Sequence, residues 1–547
     1  MTHPKPSLRA PLLAPLRAAI VPVLSIFSCW AVFLALLHRV TASIGIFVAE
    51  ECTGTMAYRW LHQIPAVPPG IAFPLRLFGE DIPVMYSLYH GPWIVYFVAP
   101  FVAWGGCTLA VLRSYNACVF LVAIAGTYQL AKALYRSDAV AFLCALMISV
   151  CPSLVLFGAE WVHSAMAASA WTLYFGLMFA RTRRPLFAYL CSAALVGGVC
   201  TASWYAGLAV GLLLCLVLMP RRVLALLPEE RRQRRTLVGG CLLCAGFFLL
   251  PILAYNAANG WATLRFLMGH ALHRRLPTAF WYLGTGSNLD YRHNLKISLE
   301  QLAMLCDGDA IMVVARKPWH LVYAVPLLFS LARTAREVWN RRTLWLKSAV
   351  LWTTAIGYVL ISPISPTMQL AIHLTPLAPI LVVLLFSGYD AVRAPRVRGL
   401  FLAAAAALCA AQFAGDLKLL ERANVDVTRA GSYESSQLMI EVCRWAAARP
   451  RTPVVPLSFA LFHALQFYTE SRARIVPLPS VTLEAVPWDK WARRRDKPYF
   501  IAENDDGGAR SWTALKAAAE RGGIELTRVK TFTDGSGHPG FEVYVAK

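Results

Sequence analysis

What most restricts this chain is an alternation: apolar runs long enough to cross a bilayer are separated by short blocks rich in Arg and Lys. A hydrocarbon core takes about twenty apolar residues as a helix, and a lipid-facing backbone has few other ways to satisfy its polar groups. Of the 547 residues, 15% are charged and 58% hydrophobic, whereas soluble domains carry about 25% charged residues. The expected class is a polytopic α-helical membrane protein. The formal net charge of +22 does not argue for nucleic acid. Most of the cations lie between apolar runs, where they set orientation by staying on the cytoplasmic side.

The basic N-terminus, MTHPKPSLRAPLLAPLR, precedes an apolar run at 18–38 and no convincing small-residue cleavage site follows. It reads as a retained signal anchor with a cytoplasmic N-terminus. Further runs lie at 109–134, 140–157, 161–180, 186–200, 206–219, 237–255, 320–332, 344–361, 370–387 and 400–413. Alternating directions place Lys132, Arg136, Arg181, Arg183, Arg184, the block 221–235, RTAREVWNRR and DAVRAPRVR all inside. The prediction is about eleven spans with the C-terminus outside. The run 93–104 is too short to span comfortably and is expected to be a juxtamembrane helix in the outer interface, where Trp93, Tyr96 and Trp104 are at home.

From about Gly415 the character changes. Strand-like PVVPL, RIVPL, PYFIAEN, IELTRVKTF and FEVYV alternate with helical FALFHALQFYTES and RSWTALKAAAERGG, the last closed by a glycine pair suited to a helix C-cap. The expected division is a membrane domain at 1–415 and a small extracytoplasmic α/β domain at 416–547. The latter has no phosphate-binding glycine loop and no nucleophile elbow. Most of the fourteen cysteines sit inside apolar runs, as small hydrophobes. Cys52 and Cys306 fall in outward loops, where a bridge between them is one option that spacing alone cannot choose.

Chemistry is expected on the outer loop 41–93, which holds two acidic pairs, Glu50-Glu51 and Glu80-Asp81, then Tyr86, Tyr89 and His90-Gly91-Pro92. A carboxylate at the mouth of a bundle can take the proton of an acceptor hydroxyl as that oxygen attacks a sugar. A lipid-phosphate leaving group departs as an anion and needs cationic support rather than a general acid. The plainer reading is that Glu50 and Glu51 begin a helix or solvate a loop, and that Glu80 and Asp81 are turn residues. The prolines at 65, 68, 69 and 74 are suited to folding the loop back on itself.

The outer loop 256–318 carries Arg265, His270, His273, Arg274 and Arg275 against the positive-inside bias, which points to an anionic lipid phosphate or to head groups in general. Glu160 and His163, one helical turn apart, can hold a divalent ion or simply mark the interface. His373 at the outer start of a late span is a further phosphate-binding candidate.

With these residues in view, the chain resembles the GT-C superfamily of membrane glycosyltransferases. The likeness is to the branch of dolichyl-phosphate-mannose protein mannosyltransferases and lipid A aminoarabinose transferase. It rests on the acidic pair after the first span, on Tyr89-His90-Gly91-Pro92 with Tyr96, on CPSLVLFGAEWVHSAM and on MQLAIHLTPLAPILVVL. The resemblance implies a GT-C-like bundle and transfer of a sugar from a polyprenyl-phosphate donor to an extracytoplasmic acceptor, with inversion, in the inner membrane. It places Glu50 at the catalytic acid of the family, Glu51 beside it and His90 near the residue that meets the donor phosphate. Asp81 is expected to assist; Tyr86, Tyr89, Arg265, His270, Arg274, Arg275 and His373 are expected around the donor. Three departures stand out: Glu50 replaces Asp, His90-Gly91-Pro92 lacks a second proline, and His163 falls where relatives have an acid. A flippase for lipid-linked glycans or a non-catalytic envelope assembly protein are the alternatives. A flippase predicts charge along the spans.

Overall fold

The computed structural model describes residues 10–43, 48–64, 73–77, 80–85, 91–156, 163–201, 205–261, 263, 291–307, 319–341, 347–362, 371–389, 392, 394–429, 437–470, 474–476, 497–504, 506–533 and 537–546. The apolar runs are helical. In order they are α1 (Ala10–Ser43), α4 (Leu109–Tyr135), α5 (Asp138–Ser149) with α6 (Pro152–Leu156), α7 (His163–Thr182), α8 (Pro185–Thr201) and α9 (Ala206–Leu218). After a short α10 (Pro220–Leu224) come α11 (Arg231–Ala258), α12 (Tyr291–Asp307), α13 (Trp319–Arg341) and α14 (Lys347–Ile361). A 3₁₀ segment (Ala371–Leu377), α15 (Ala378–Leu385) and the long α16 (Pro395–Arg429) complete the bundle. Among the described residues, four helices are each long and apolar enough to cross a membrane alone: Ala19–Thr41, Leu109–Tyr135, Arg231–Ala258 and Pro395–Lys418.

Two expected runs are interrupted. The stretch 140–157 breaks between α5 and α6, where Pro152 cannot donate to the helical ladder. The stretch 370–387 starts as the tighter 3₁₀ segment, which contains Pro376, before α15 takes over. α16 runs unbroken through Gly415, so the change of composition there falls inside a helix rather than at a chain break.

Between helices in lipid, association depends on close packing and hydrogen bonds, because the solvent is as apolar as the side chains. Phe33 of α1 stacks on Phe120 of α4 with centroids 3.8 Å apart. Trp30 Nε1 donates to the Ala117 carbonyl at 2.9 Å, and Ser169 Oγ to the Pro376 carbonyl at 2.7 Å. α9 and α14 cross so closely that a Cβ on Gly211 would lie 2.5 Å from the Thr354 carbonyl oxygen.

Beyond the bundle, α17 (Gln437–Ala447), β3 (Val454–Pro456), α18 (Phe459–Tyr468), β4 (Tyr499–Glu503), α19 (Asp506–Arg521), β5 (Leu526–Thr533) and β6 (Pro539–Ala546) form an α/β unit. Its sheet has the order β3-β4-β6-β5, with β3 parallel to β4 and the other pairs antiparallel. RIVPL contributes only a bridge from Ile475 to Val454 within its described part. Val442, Leu461, Leu465, Ile501 and Val543 make one of its cores, with α17 and α18 on that face. Gly523, at φ +66, supplies the left-handed cap after α19.

Helix lengths fix the two ends of the bundle. Leu112, near the start of α4, touches the short helix α2 (Val48–Leu61) at Gly54. Lys132, near the other end of α4, lies twenty residues on, or about 30 Å at 1.5 Å per residue. α11 starts with four arginines among its first five residues and ends with Tyr255 in a cluster with Val84 and Met85 of β2 (Glu80–Met85), which forms a hairpin with β1 (Phe73–Leu77). α8 starts just after Arg184 and ends with the Cys200 carbonyl accepting from the Gly91 amide at 2.6 Å. α2, the β-hairpin and Gly91 therefore share one end of the bundle, and the basic blocks beside α4, α8 and α11 sit at the other.

Candidate active site

Glu50 and Glu51 lie in the first turn of α2. An acid is favoured there by the helix dipole. The side chains of Glu50, Glu51 and Cys52 lie outside the described residues, but the next turn is well defined. Thr53, Gly54, Thr55, Met56 and Ala57 are all buried, so the middle of α2 is enclosed. Gly54 sits against Leu112 of α4 on one side and Phe467 of α18 on the other. The terminal unit thus packs directly on the helix that carries the acidic pair.

That contact is polar at its edge. Tyr58 of α2 donates its hydroxyl proton to Glu470 at 3.3 Å, just past α18. Arg59 faces His463 of α18 closely enough to repel its protonated form. Burial, reinforced by Arg59, pushes the His463 imidazole down to about 3. Desolvation also lowers the Arg59 guanidinium. None of this has a local sequence signal, since Tyr58 and Glu470 are 412 residues apart.

The second acidic pair lies on a hairpin. β1 (Phe73–Leu77) and β2 (Glu80–Met85) are antiparallel, with Leu77 opposite Glu80 and Arg76 opposite Asp81. β2 touches both α2 and α11, so the backbone brings 50–51 and 80–81 onto adjoining elements. The Asp81 side chain lies outside the described residues, as do Tyr86, Tyr89 and His90 entirely. Gly91 follows, and its place is dictated by contact. A Cβ there would lie 2.9 Å from the Cys200 carbonyl oxygen, so a side chain would push α8 away. Pro92 then starts α3 (Trp93–Gly105). Thirteen residues give about 20 Å, less than a hydrocarbon core. Trp93 Nε1 donates to the Phe248 carbonyl at 2.9 Å, and the Tyr96 hydroxyl to the Pro83 carbonyl, tying α3 to α11 and β2.

Of the other candidates, Arg265, His270, Arg274, Arg275 and Glu160 lie outside the described residues, as do the side chains of His373 and Cys306. His373 belongs to the 3₁₀ segment, which packs against α7 and α12. His163 is fully buried beside the stacked pair Phe33 and Phe120. Its Nε2 donates to the Leu154 carbonyl at 3.1 Å. Among the described residues no group of three His, Cys, Asp or Glu side chains could hold a metal ion.

One pair was not singled out by sequence. His320, at the start of α13, donates from its backbone amide to Asp307 Oδ1 at 2.9 Å, and its Nδ1 lies 2.5 Å from Oδ2. Asp307 is buried and ends α12, so this pair ties the end of α12 to the start of α13. Its only hint in the sequence is an acid and an imidazole at the two edges of a stretch that the span count turns outward.

No family model and no curated protein matches the sequence. The structure defines the class first: a bundle of long apolar helices with an α/β unit packed on a short acidic helix at one end. The particular likeness is to ArnT from Cupriavidus metallidurans. Its structure bound to undecaprenyl phosphate matches at TM-score 0.60 and 13% identity over 96% of this chain and 97% of that one. Its apo structure matches at TM-score 0.60 and 13% identity over 97% and 98%. The oligosaccharyltransferase of Archaeoglobus fulgidus, in complex with Zn and sulfate, matches at TM-score 0.45 and 11% identity over 94% and 72%.

Proposed function

We propose that this chain is a membrane glycosyltransferase that takes a sugar from a polyprenyl-phosphate donor and passes it to an acceptor on the outer side of the inner membrane. The reading is supported chiefly by one observation: 96% of the chain shares a fold with a protein crystallised with undecaprenyl phosphate, and the helix carrying Glu50-Glu51 packs into one end of that fold.

Glu50 acts as the base. It takes the acceptor hydroxyl proton while the oxygen attacks the anomeric carbon from the face opposite the phosphate. The carbon–oxygen bond to phosphate breaks with inversion, and the polyprenyl phosphate leaves as an anion. Cationic neighbours stabilise that charge, the role assigned to His90, Arg265, His270, Arg274 and Arg275, with Tyr86, Tyr89 and His373 as further contacts. Glu51 and Asp81 hold the acceptor, and the α/β unit braces α2 and helps to recognise the acceptor. A divalent ion at Glu160 and His163 is not needed for this chemistry.

The transporter alternative is disfavoured by where buried charge lies. Arg113, Asp307 and Asp416 are the buried Asp, Glu, Lys and Arg residues among the described part of the bundle. Arg113 is in the second turn of α4, at the α2 end, and Asp416 is eighteen residues beyond Arg398 along α16. They do not mark a path across the bilayer. The test is to reconstitute the protein in liposomes with polyprenyl-phosphate sugars and measure free polyprenyl phosphate. Its release together with a glycosylated acceptor is expected; donor that changes leaflet with its sugar still attached would establish the transporter instead.

A further inference from the structure

The end of the bundle remote from α2 holds a cavity of about 490 Å³ between α4, α7, α9 and α14. Its walls are apolar, including Leu134, Leu173, Leu177, Leu212 and Leu351. Arg181 and Arg183 stand at its rim. Leu134 is twenty-two residues along α4 from Leu112, about 33 Å, so this cavity is a membrane thickness away from the candidate active site.

Three observations say what fills it. First, helix interiors pack with few voids larger than a water molecule, so an apolar space of this size in a bilayer is filled by what the bilayer supplies. Second, the rim is cationic and unneutralised. Arg136 lies close enough to Arg181 to repel it, and among the described residues no carboxylate pairs with Arg136, Arg181 or Arg183. The nearby Asp138 is held by Lys132 at 2.7 Å. Third, Arg183 occupies a left-handed backbone position at φ +58, where glycine or asparagine is easier. Its Nη1 donates to the Ala225 carbonyl at 2.9 Å, and both residues line the cavity.

We infer that this cavity binds one acyl chain of an anionic glycerophospholipid from the leaflet facing the basic loops, with the phosphate on Arg181 and Arg183. The apolar walls take the chain, and the guanidinium groups offer the forked donors that match phosphate oxygens. This lipid site is separate from the donor site and does not depend on the transfer chemistry. It would seat α7 against α9 and α14, the helices that meet around the cavity.

The test uses the purified full chain, native mass spectrometry and three probes: phosphatidylglycerol, phosphatidylcholine with the same acyl chains, and undecaprenyl phosphate. Phosphatidylglycerol should be retained at least about tenfold more tightly than phosphatidylcholine, as expected for two cations near a phosphate. Arg181→Gln with Arg183→Asn should erase that preference, asparagine being chosen because it tolerates the left-handed backbone. Gly176→Leu should expel both phospholipids, since Gly176 lines the cavity and a Cβ there meets only Cys191 Sγ, at 3.6 Å. The two substitutions alter different walls, so if one prevents folding the other still decides. Equal retention of the two phospholipids, unchanged preference in the charge variant, unchanged binding in Gly176→Leu, or displacement by equimolar undecaprenyl phosphate would each overturn the assignment.

Discussion

At the scale of single residues, acids near a bilayer draw attention because keeping them there is costly without a reason. That logic singles out Glu50-Glu51 and Glu80-Asp81, which lie on touching elements. It could not find Asp307 with His320, because a buried pair is defined by what encloses it and not by the residues that form it. Asp307 is 5% exposed at its side chain and His320 36%, so the pair is anchored on the acid. Asp307→Ala leaves the His320 amide and ring without their acceptor. It should cost about 1–3 kcal/mol of stability, read as a lower melting temperature of the purified protein. A melting temperature equal to wild type would show that the pair is ornamental.

At the scale of elements, hydropathy located the helices well but not their interruptions. The breaks at Pro152 and in the 3₁₀ segment come from backbone donors lost to proline, which a hydropathy average does not register. The amphipathic helix α17 went unremarked beside a domain boundary placed inside α16. Two predictions belong here. Gly211→Leu at the α9–α14 crossing puts a side chain where the Thr354 carbonyl stands, and should destabilise the bundle by about 1–3 kcal/mol in a detergent unfolding titration. The second concerns the α2–α18 contact. His463 is held neutral down to about 3, well below the ordinary imidazole value of 6.5. Between those values the undocked state binds more protons than the docked one, so stability is full above pH 6.5 and falls as pH drops. The slope should approach about 1.4 kcal/mol per pH unit and be flatter in His463→Gln. Hydrogen exchange of the α2 amides from pH 6.5 to 5 reads it; identical profiles for both proteins would remove His463 from the docking contact.

At the scale of the whole molecule, the positive-inside pattern and the helix lengths lead to the same picture from independent physics. One is the sorting of cations during insertion, the other the 1.5 Å rise of a helix. Helix length separates α2 and the terminal unit from the basic blocks, and the proposed topology puts the α2 end outside. An alkaline phosphatase reporter, active only outside, should therefore be active when fused after Lys547 and silent when fused after Arg232. The reverse pattern would invert the topology and with it the side on which the acceptor must lie. What the sequence could not convey at this scale was that the terminal unit clamps α2, because Gly54 and Phe467 meet only once the chain has folded.

The central claim is that Glu50 deprotonates the acceptor during sugar transfer. It is tested most directly by single-turnover transfer from a polyprenyl-phosphate sugar in liposomes, comparing the wild type with Glu50→Gln. The glutamine keeps the shape of the side chain and cannot take a proton. The account predicts correct insertion, unchanged donor binding and a transfer rate lower by about a hundredfold or more. A folded Glu50→Gln protein that transfers the sugar at the wild-type rate would contradict it.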